Sequence, residues 1–221
     1  MAELILIRHG QASFGTGDYD RLSPLGHQQS VALGQVLAEW DARPGAFFIG
    51  SLRRQRETLE GILTGMGKAA EPEIDPNLNE FDFEALLHAR FPDGSGPDGI
   101  NKDHKTHFRC LRETVLMWQR DEIDNPPETW DNYCARVEAA RANIMRPGLD
   151  TVLAVSSGGT ISQLIGAVLG TPAPVQIKLQ LQMKNCAVNR FIYSERSVYL
   201  HSFNEVPHIN ASNSDTLLTY S

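Results

Sequence analysis

The chain alternates short apolar runs with longer stretches whose apolar residues recur every three or four positions. Leu4-Ile5-Leu6-Ile7, Ala46–Ile49 and Thr151–Val155 are the uniformly apolar runs. Runs so short and continuous suit strands buried on both faces. Helical patterns lie between them. Ser23-Pro24 supplies an N-cap and a proline for the first turn, which predicts a helix to about Trp40. Arg53 to about Met66 is helical, with Leu59, Ile62 and Leu63 on one face and Gly67 placed to end it. Two longer helical stretches follow near Asp103–Ile123 and Pro127–Met145, separated by Asn125-Pro126-Pro127. Another, Gly158–Leu169, stops at Gly170 and Pro172. Glu71–Asp75 reads as a short extended piece. Gln11–Leu22 and Phe91–Gly99 read as loops. Asn189–Tyr193 and Val198–Leu200 alternate like a hairpin around polar Ser194–Ser197. Strand-helix alternation predicts an α/β fold, a three-layer α/β/α sandwich with a mostly parallel central sheet. We read 1–221 as one domain, with a helical insertion at about 86–130 over one edge.

Composition narrows the partners. The 221 residues are 41% hydrophobic and 21% charged, with a net charge of −7. This is an ordinary globular balance, and a chain of this length can bury a sizeable core. Without a Lys/Arg run, nucleic acid is not an expected partner. No apolar stretch approaches the roughly 20 residues of a membrane span. The run after Met1 is too short for a signal peptide. The cysteines, Cys110, Cys134 and Cys186, are few, odd in number and far apart. They support neither a disulfide framework nor a zinc site. The expected location is the cytoplasm.

Four segments at the ends of apolar runs carry candidate chemistry. Arg8-His9-Gly10-Gln11 puts a permanent cation and an imidazole at the C-terminal tip of the first strand, the end at which open α/β sheets bind ligands. A guanidinium fork suits phosphate, and a neutral imidazole can attack phosphorus. The tripeptide alone fits equally a strand-end arginine paired with an acid beside a packed histidine. Ser51 to Thr58 opens a helix with Arg53, Arg54 and Arg56, where helix amides also favour anions. Arg53 and Arg56 read as a solvated face. Leu78 to Glu84 interleaves acids with Leu and Phe. A carboxylate against apolar walls can become a general acid, although such stretches are commonly plain surface. Val155-Ser156-Ser157-Gly158-Gly159-Thr160 is either a tight strand-to-helix turn or an anion cradle of amides and hydroxyls. There is no G-x-S-x-G elbow and no P-loop.

Taken in order, these segments resemble the histidine phosphatase superfamily, the phosphoglycerate-mutase-like proteins, over nearly the whole chain. Arg8-His9-Gly10 matches the family's R-H-G. Leu22-Ser23, Gly26 and Gln29 match L-[ST]-x-x-G-x-x-Q. Leu52, Arg54 and Thr58 match the second-arginine segment. Leu78, Glu80 and Phe83 match L-x-E-x-x-F. The family's V-x-H-G-G reads Val155-Ser156-Ser157-Gly158-Gly159, so Ser157 stands where the family has its second pocket histidine. Gln11 and Ala12 also differ from many members, which carry Glu and then Thr or Ser.

The resemblance implies a metal-independent phosphatase acting on a phosphate monoester through a phosphohistidine at His9. It makes Glu80 the general acid and base and Arg8 and Arg54 the phosphoryl clamp. Gln11, Ser157 and Gly158 become further phosphate-binding residues. No cofactor is expected, and the expected ligand is a small phosphorylated substrate or phosphate. Because Ser157 replaces an imidazole, the alternative is a weak or inactive phospho-ligand-binding protein. A phosphoglycerate mutase is the third reading. The insertion would cap the pocket with a basic excess between His88 and Arg112, and Phe14 could line the entrance. His104 and His107 lack a carboxylate partner of evident spacing and read as surface. Oligomeric state is not legible.

Overall fold

The computed structural model describes residues 1–13, 20–97 and 104–220, with His104 described by its backbone only. Phe14 and the acids and lysine at 98–103 lie outside the described residues, as does the His104 side chain. The strands are β1 (Ala2–Arg8), β2 (Ala46–Ile49), β3 (Glu73–Ile74), β4 (Thr151–Ser156), β5 (Val188–Ser194) and β6 (Ser197–Glu205). They form one sheet in the order β3-β2-β4-β1-β5-β6. Pairing is parallel from β3 through β1 and antiparallel for β5 and β6. The helices are α1 (Pro24–Glu39), α2 (Arg53–Met66), α3 (Phe83–Arg90), α4 (His104–Trp118), α5 (Trp130–Ile144), α6 (Gly158–Leu169), α7 (Pro174–Gln180) and α8 (Ser214–Leu217).

Alternation along the strands assigns the layers. Ile5, Ile7, Ile49, Leu153 and Val155 face α1 and α2, packing on Leu33, Leu37, Leu59 and Ile62. Leu4, Leu6, Phe48, Val152 and Ala154 face the other side, where Val137, Ile144, Ile161, Leu164 and Ile177 of α5, α6 and α7 meet them. Burying each such side chain contributes roughly 1.5–3 kcal/mol. This is the three-layer α/β/α sandwich expected from the pattern.

Helices α1, α2 and α6 begin and end close to the expected positions. Ser23 accepts from the Gly26 N–H as N-cap, and Gly67 and Gly170 end α2 and α6 in the left-handed conformation. The extended piece at Glu71–Asp75 narrows to Glu73–Ile74. The two long helices are shorter than their patterns. Helix α5 starts at Trp130, where Thr129 caps it beyond the two prolines. The hairpin strands run on to Glu205, through a register shift near Arg190. Helices α3, α7 and α8 were not legible, and α3 begins where Asp82 accepts from the Ala85 N–H.

The connections place the site. From β1 the chain crosses through α1 to β2, on the far side of β4. From β4 it crosses through α6 and α7 to β5, on the far side of β1. Neighbouring β1 and β4 therefore send their chains to opposite faces, which opens a crevice at their carboxyl ends. In open α/β sheets such a switch point holds the ligand.

Candidate active site

Arg8 ends β1 in register with Ser156 of β4. The His9 N–H donates to the Ser156 carbonyl at 3.0 Å, so both strand ends form one rim. The chain then turns at Gly10, where a Cβ would stand 2.7 Å from the Gly26 carbonyl. Glycine lets the first turn of α1 close against the histidine. The Gly10 N–H donates to Thr58 Oγ1 at 3.0 Å, and Thr58 donates to the Arg54 carbonyl at 2.7 Å. Thr58 thus ties the first turn of α2 to the His9 loop.

The His9 ring is buried, only 3% exposed. Nδ1 lies 2.8 Å from the Gly10 carbonyl, which can only accept, and Nε2 lies 3.3 Å from Arg54 Nε, which can only donate. Both contacts require the same tautomer, with the proton on Nδ1 and the lone pair on Nε2. Burial and then the Arg54 and Arg8 cations hold this imidazole well below its usual range, against a smaller opposite pull from the Gly10 carbonyl. The ring is neutral near neutral pH.

Two guanidiniums flank it. Arg8 donates to the Met183 carbonyl, and a Cβ on Gly158 would come within 3.3 Å of Arg8 Nε. Arg8 therefore lies against the N-terminus of α6. Arg54 Nη1 pairs with Asp20 Oδ1 at 2.7 Å, and Asp20 also accepts from the Arg53 N–H at 2.9 Å. Both arginines are over nine-tenths buried.

Glu80 approaches from the loop before α3. Its Oε2 accepts the Gly159 N–H at 2.7 Å and its Oε1 the Phe81 N–H at 3.2 Å. Burial raises its carboxyl pKa, and the Gly159 N–H and the Arg54 charge only partly offset this. The loop is fastened to the rim by Ser156 Oγ on the Leu78 carbonyl at 2.6 Å and Thr160 Oγ1 on the Asn79 carbonyl at 2.8 Å. Ser157 is fully buried and accepts from Gln55 Nε2 at 3.0 Å.

Arg8, His9, Arg54, Glu80, Ser157 and Gly158 thus converge on one crevice. Gln11 sits on its α1 side, with Oε1 accepting from Ser23 Oγ at 2.7 Å and its N–H bonded to Gln29 Oε1 at 2.9 Å. Arg53 faces solvent and pairs with Glu57 at 2.6 Å, as a surface reading expects. No group of three or more His, Cys, Asp or Glu able to hold a metal occurs among the described residues. Nor is any helix among them long and apolar enough to cross a membrane.

Several supporting residues escaped the sequence reading. Gln55 carried a signal only in its place beside Arg54. Asn185 Nδ2 donates to the His9 carbonyl at 3.4 Å, and Asn185 Oδ1 accepts from Thr219 Oγ1 at 2.8 Å. Gln29 Nε2 holds the Leu217 carbonyl and Thr219 Oγ1, each at 2.8 Å. Only Gln29 had a motif position to announce it.

Comparison with known proteins gives the family and the fold. The family model of the histidine phosphatase superfamily (branch 1) matches residues 4–206. A 2,3-bisphosphoglycerate-dependent phosphoglycerate mutase from Mesorhizobium japonicum is 30% identical over 193 residues, 80% of this chain and 86% of that protein. Among solved structures, a mycobacterial glucosyl-3-phosphoglycerate phosphatase with inorganic phosphate superposes with a TM-score of 0.65 at 21% identity. It covers 95% of this chain and 100% of that one. Phosphoserine phosphatase from Entamoeba histolytica in complex with 3-phosphoglyceric acid gives 0.65 at 20% identity, covering 94% and 99%. The last two likenesses concern the fold, whereas the family match spans the segments that build the crevice. The chain belongs to the histidine phosphatase superfamily, branch 1.

Proposed function

We propose that this protein is a metal-independent phosphomonoesterase that works through a phosphohistidine on His9. One observation carries the reading: His9 Nδ1 faces the Gly10 carbonyl, which leaves the Nε2 lone pair turned toward the buried Arg54 guanidinium. A phosphoryl group entering against Nε2 takes over the Arg54 Nε contact. The lone pair forms the N–P bond as the ester P–O bond breaks. Arg8 and Arg54 neutralise the equatorial oxygens, because such transition states depend on position and charge rather than on covalent help. Glu80, whose carboxyl pKa burial raises, gives a proton to the leaving oxygen. Its carboxylate then takes a proton from water, which attacks phosphorus, and the P–N bond breaks to release phosphate. The Gly10 carbonyl stabilises the positive charge that the ring carries in between. Phosphatases among the solved structures of like fold, and the order of Arg8, His9, Arg54 and Glu80 along a chain that the family model matches, support this reading.

A phosphate-ester assay with wild type and His9→Ala tests it. Phosphate release should fall to background in the variant, and acid-labile phosphate should be trapped on wild-type His9. Equal release by both proteins refutes the mechanism. Phosphate binding without release favours the sensor reading that Ser157 invites. The mutase name of the 30% identical relatives favours a second activity. Conversion of 3-phosphoglycerate in the presence of 2,3-bisphosphoglycerate, faster than ester hydrolysis, would replace the phosphatase reading with it.

A further inference from the structure

Three hydroxyls border the crevice, and their partners differ in kind. Ser156 and Thr160 spend their protons on the Leu78 and Asn79 carbonyls. Ser157 Oγ is instead an acceptor, 3.0 Å from Gln55 Nε2. A neighbour fixes that direction. The same Nε2 stands 3.1 Å from the Leu78 carbonyl. A carbonyl can only accept, so the amide nitrogen and not its oxygen must face both groups. Gln55 Oε1 has no partner among the described residues, so the orientation is not set from that end. With its lone pair engaged, the Ser157 hydroxyl keeps its own proton for another acceptor. Gln55 and Ser157 are both fully buried. Gln55 also shares the first turn of α2 with Arg54.

We propose that Gln55 is a positioning residue that turns the Ser157 hydroxyl into a donor toward the phosphoryl group on His9. The inference rests on the phosphohistidine reading. A serine hydroxyl alone rotates among several directions. Held by the amide, it supplies one directed hydrogen bond where the family pattern has an imidazole. The chain's departure from that pattern is thus carried by two residues, one on α2 and one at the start of α6.

The test is a double-mutant cycle on Ser157→Ala, Gln55→Met and the pair together. It is read in kcat and KM for p-nitrophenyl phosphate and in vanadate affinity by calorimetry. Ser157→Ala should lose on the order of 10²-fold in kcat, as other phosphate or oxyanion donors do. Gln55→Met should lose about tenfold in kcat with KM little changed, and that loss should vanish in the Ser157→Ala background. Gln55→Glu, whose carboxylate would draw the Ser157 proton to itself, should lose at least as much as Ser157→Ala. Vanadate affinity should follow kcat throughout. Full activity of Gln55→Met, or an equal loss with and without Ser157, overturns the proposal. So does Ser157→Ala without any loss, whether or not the Gln55 variants fold. If wild type neither turns over nor traps phosphate on His9, the phosphohistidine reading falls by itself. The vanadate affinities then still decide whether Gln55 acts through Ser157.

Discussion

At His9 the loss of water and two guanidiniums favour the neutral ring, while at Glu80 the loss of water favours the neutral carboxyl. One crevice therefore favours the unprotonated base at His9 and shifts the carboxyl at Glu80 toward its acid form, the directions that acid-assisted attack requires. The pH profile follows in sign. Activity should fall toward acid only well below the usual histidine range, as Nε2 takes a proton. It should fall toward alkali as Glu80 ionises, at a pH above the ordinary carboxylate range. Glu80→Gln should remove the alkaline limb and lower kcat by about 10²–10⁴-fold; a limb unchanged in the variant assigns the acid elsewhere. A second buried histidine, His208, carries a stability consequence. Neither ring nitrogen has a partner among the described residues, and burial lowers its pKa to about 4. The unfolded chain, with an ordinary histidine, binds the proton first. Stability is thus complete above the ordinary range and declines as pH drops from about 6.5 toward about 4, by roughly 3 kcal/mol. His208→Leu should flatten that part of a denaturant-midpoint profile.

The elements show how far the sequence was legible. Arg8 and His9 close an apolar run and Arg54 opens a helix after one, so the hydrophobic pattern places these three at one end of the sheet, whereas Glu80, in a stretch that commonly reads as surface, is singled out only by the family resemblance. Thr58 and Gln29 had motif positions but no visible task until their partners were known. The Met183 carbonyl under Arg8 and the Asn185 amide behind His9 had no signal at all. They come from a segment about 175 residues away, whose approach depends on β5 lying beside β1. Helix α3 was hidden for another reason: only Leu86 on it is fully buried, so it has no apolar stripe. The sequence leaves Gly159 either in a tight turn or in an anion cradle, and the structure engages its N–H with Glu80. A Cβ there would stand 2.3 Å from Glu80 Oε1 and 2.6 Å from Phe81 Cε1. Gly159→Ala should displace the acid, costing about 1–3 kcal/mol of stability and moving the alkaline limb of the activity profile. A variant with an unchanged limb would show that Glu80 tolerates the shift.

For the whole molecule, the crevice gathers buried cations in a chain of net charge −7. Desolvating Arg8 and Arg54 opposes folding, and a bound dianion should relieve it. Inorganic phosphate or vanadate at about one hundred times its Kd should therefore stabilise the fold by about 2.7 kcal/mol. Thermal melts should show the shift in wild type and lose it in Arg54→Ala. A chelator should leave both melts and turnover unchanged.

The strand order has a further consequence, for how the chain is made. The segment that ends in Arg8 is synthesised well before its neighbours in the sheet, β4 and β5. Leu4 to Ile7 has no edge to pair with until residues 151–156 have emerged. At ~5–20 residues per second that delay is roughly 7–30 s. Throughout it the apolar Leu4–Ile7 run is an unpaired nascent segment. His9 can join no site until residues 151–156 exist, so nascent-chain binding factors have a long opportunity to hold this segment before the crevice closes around it.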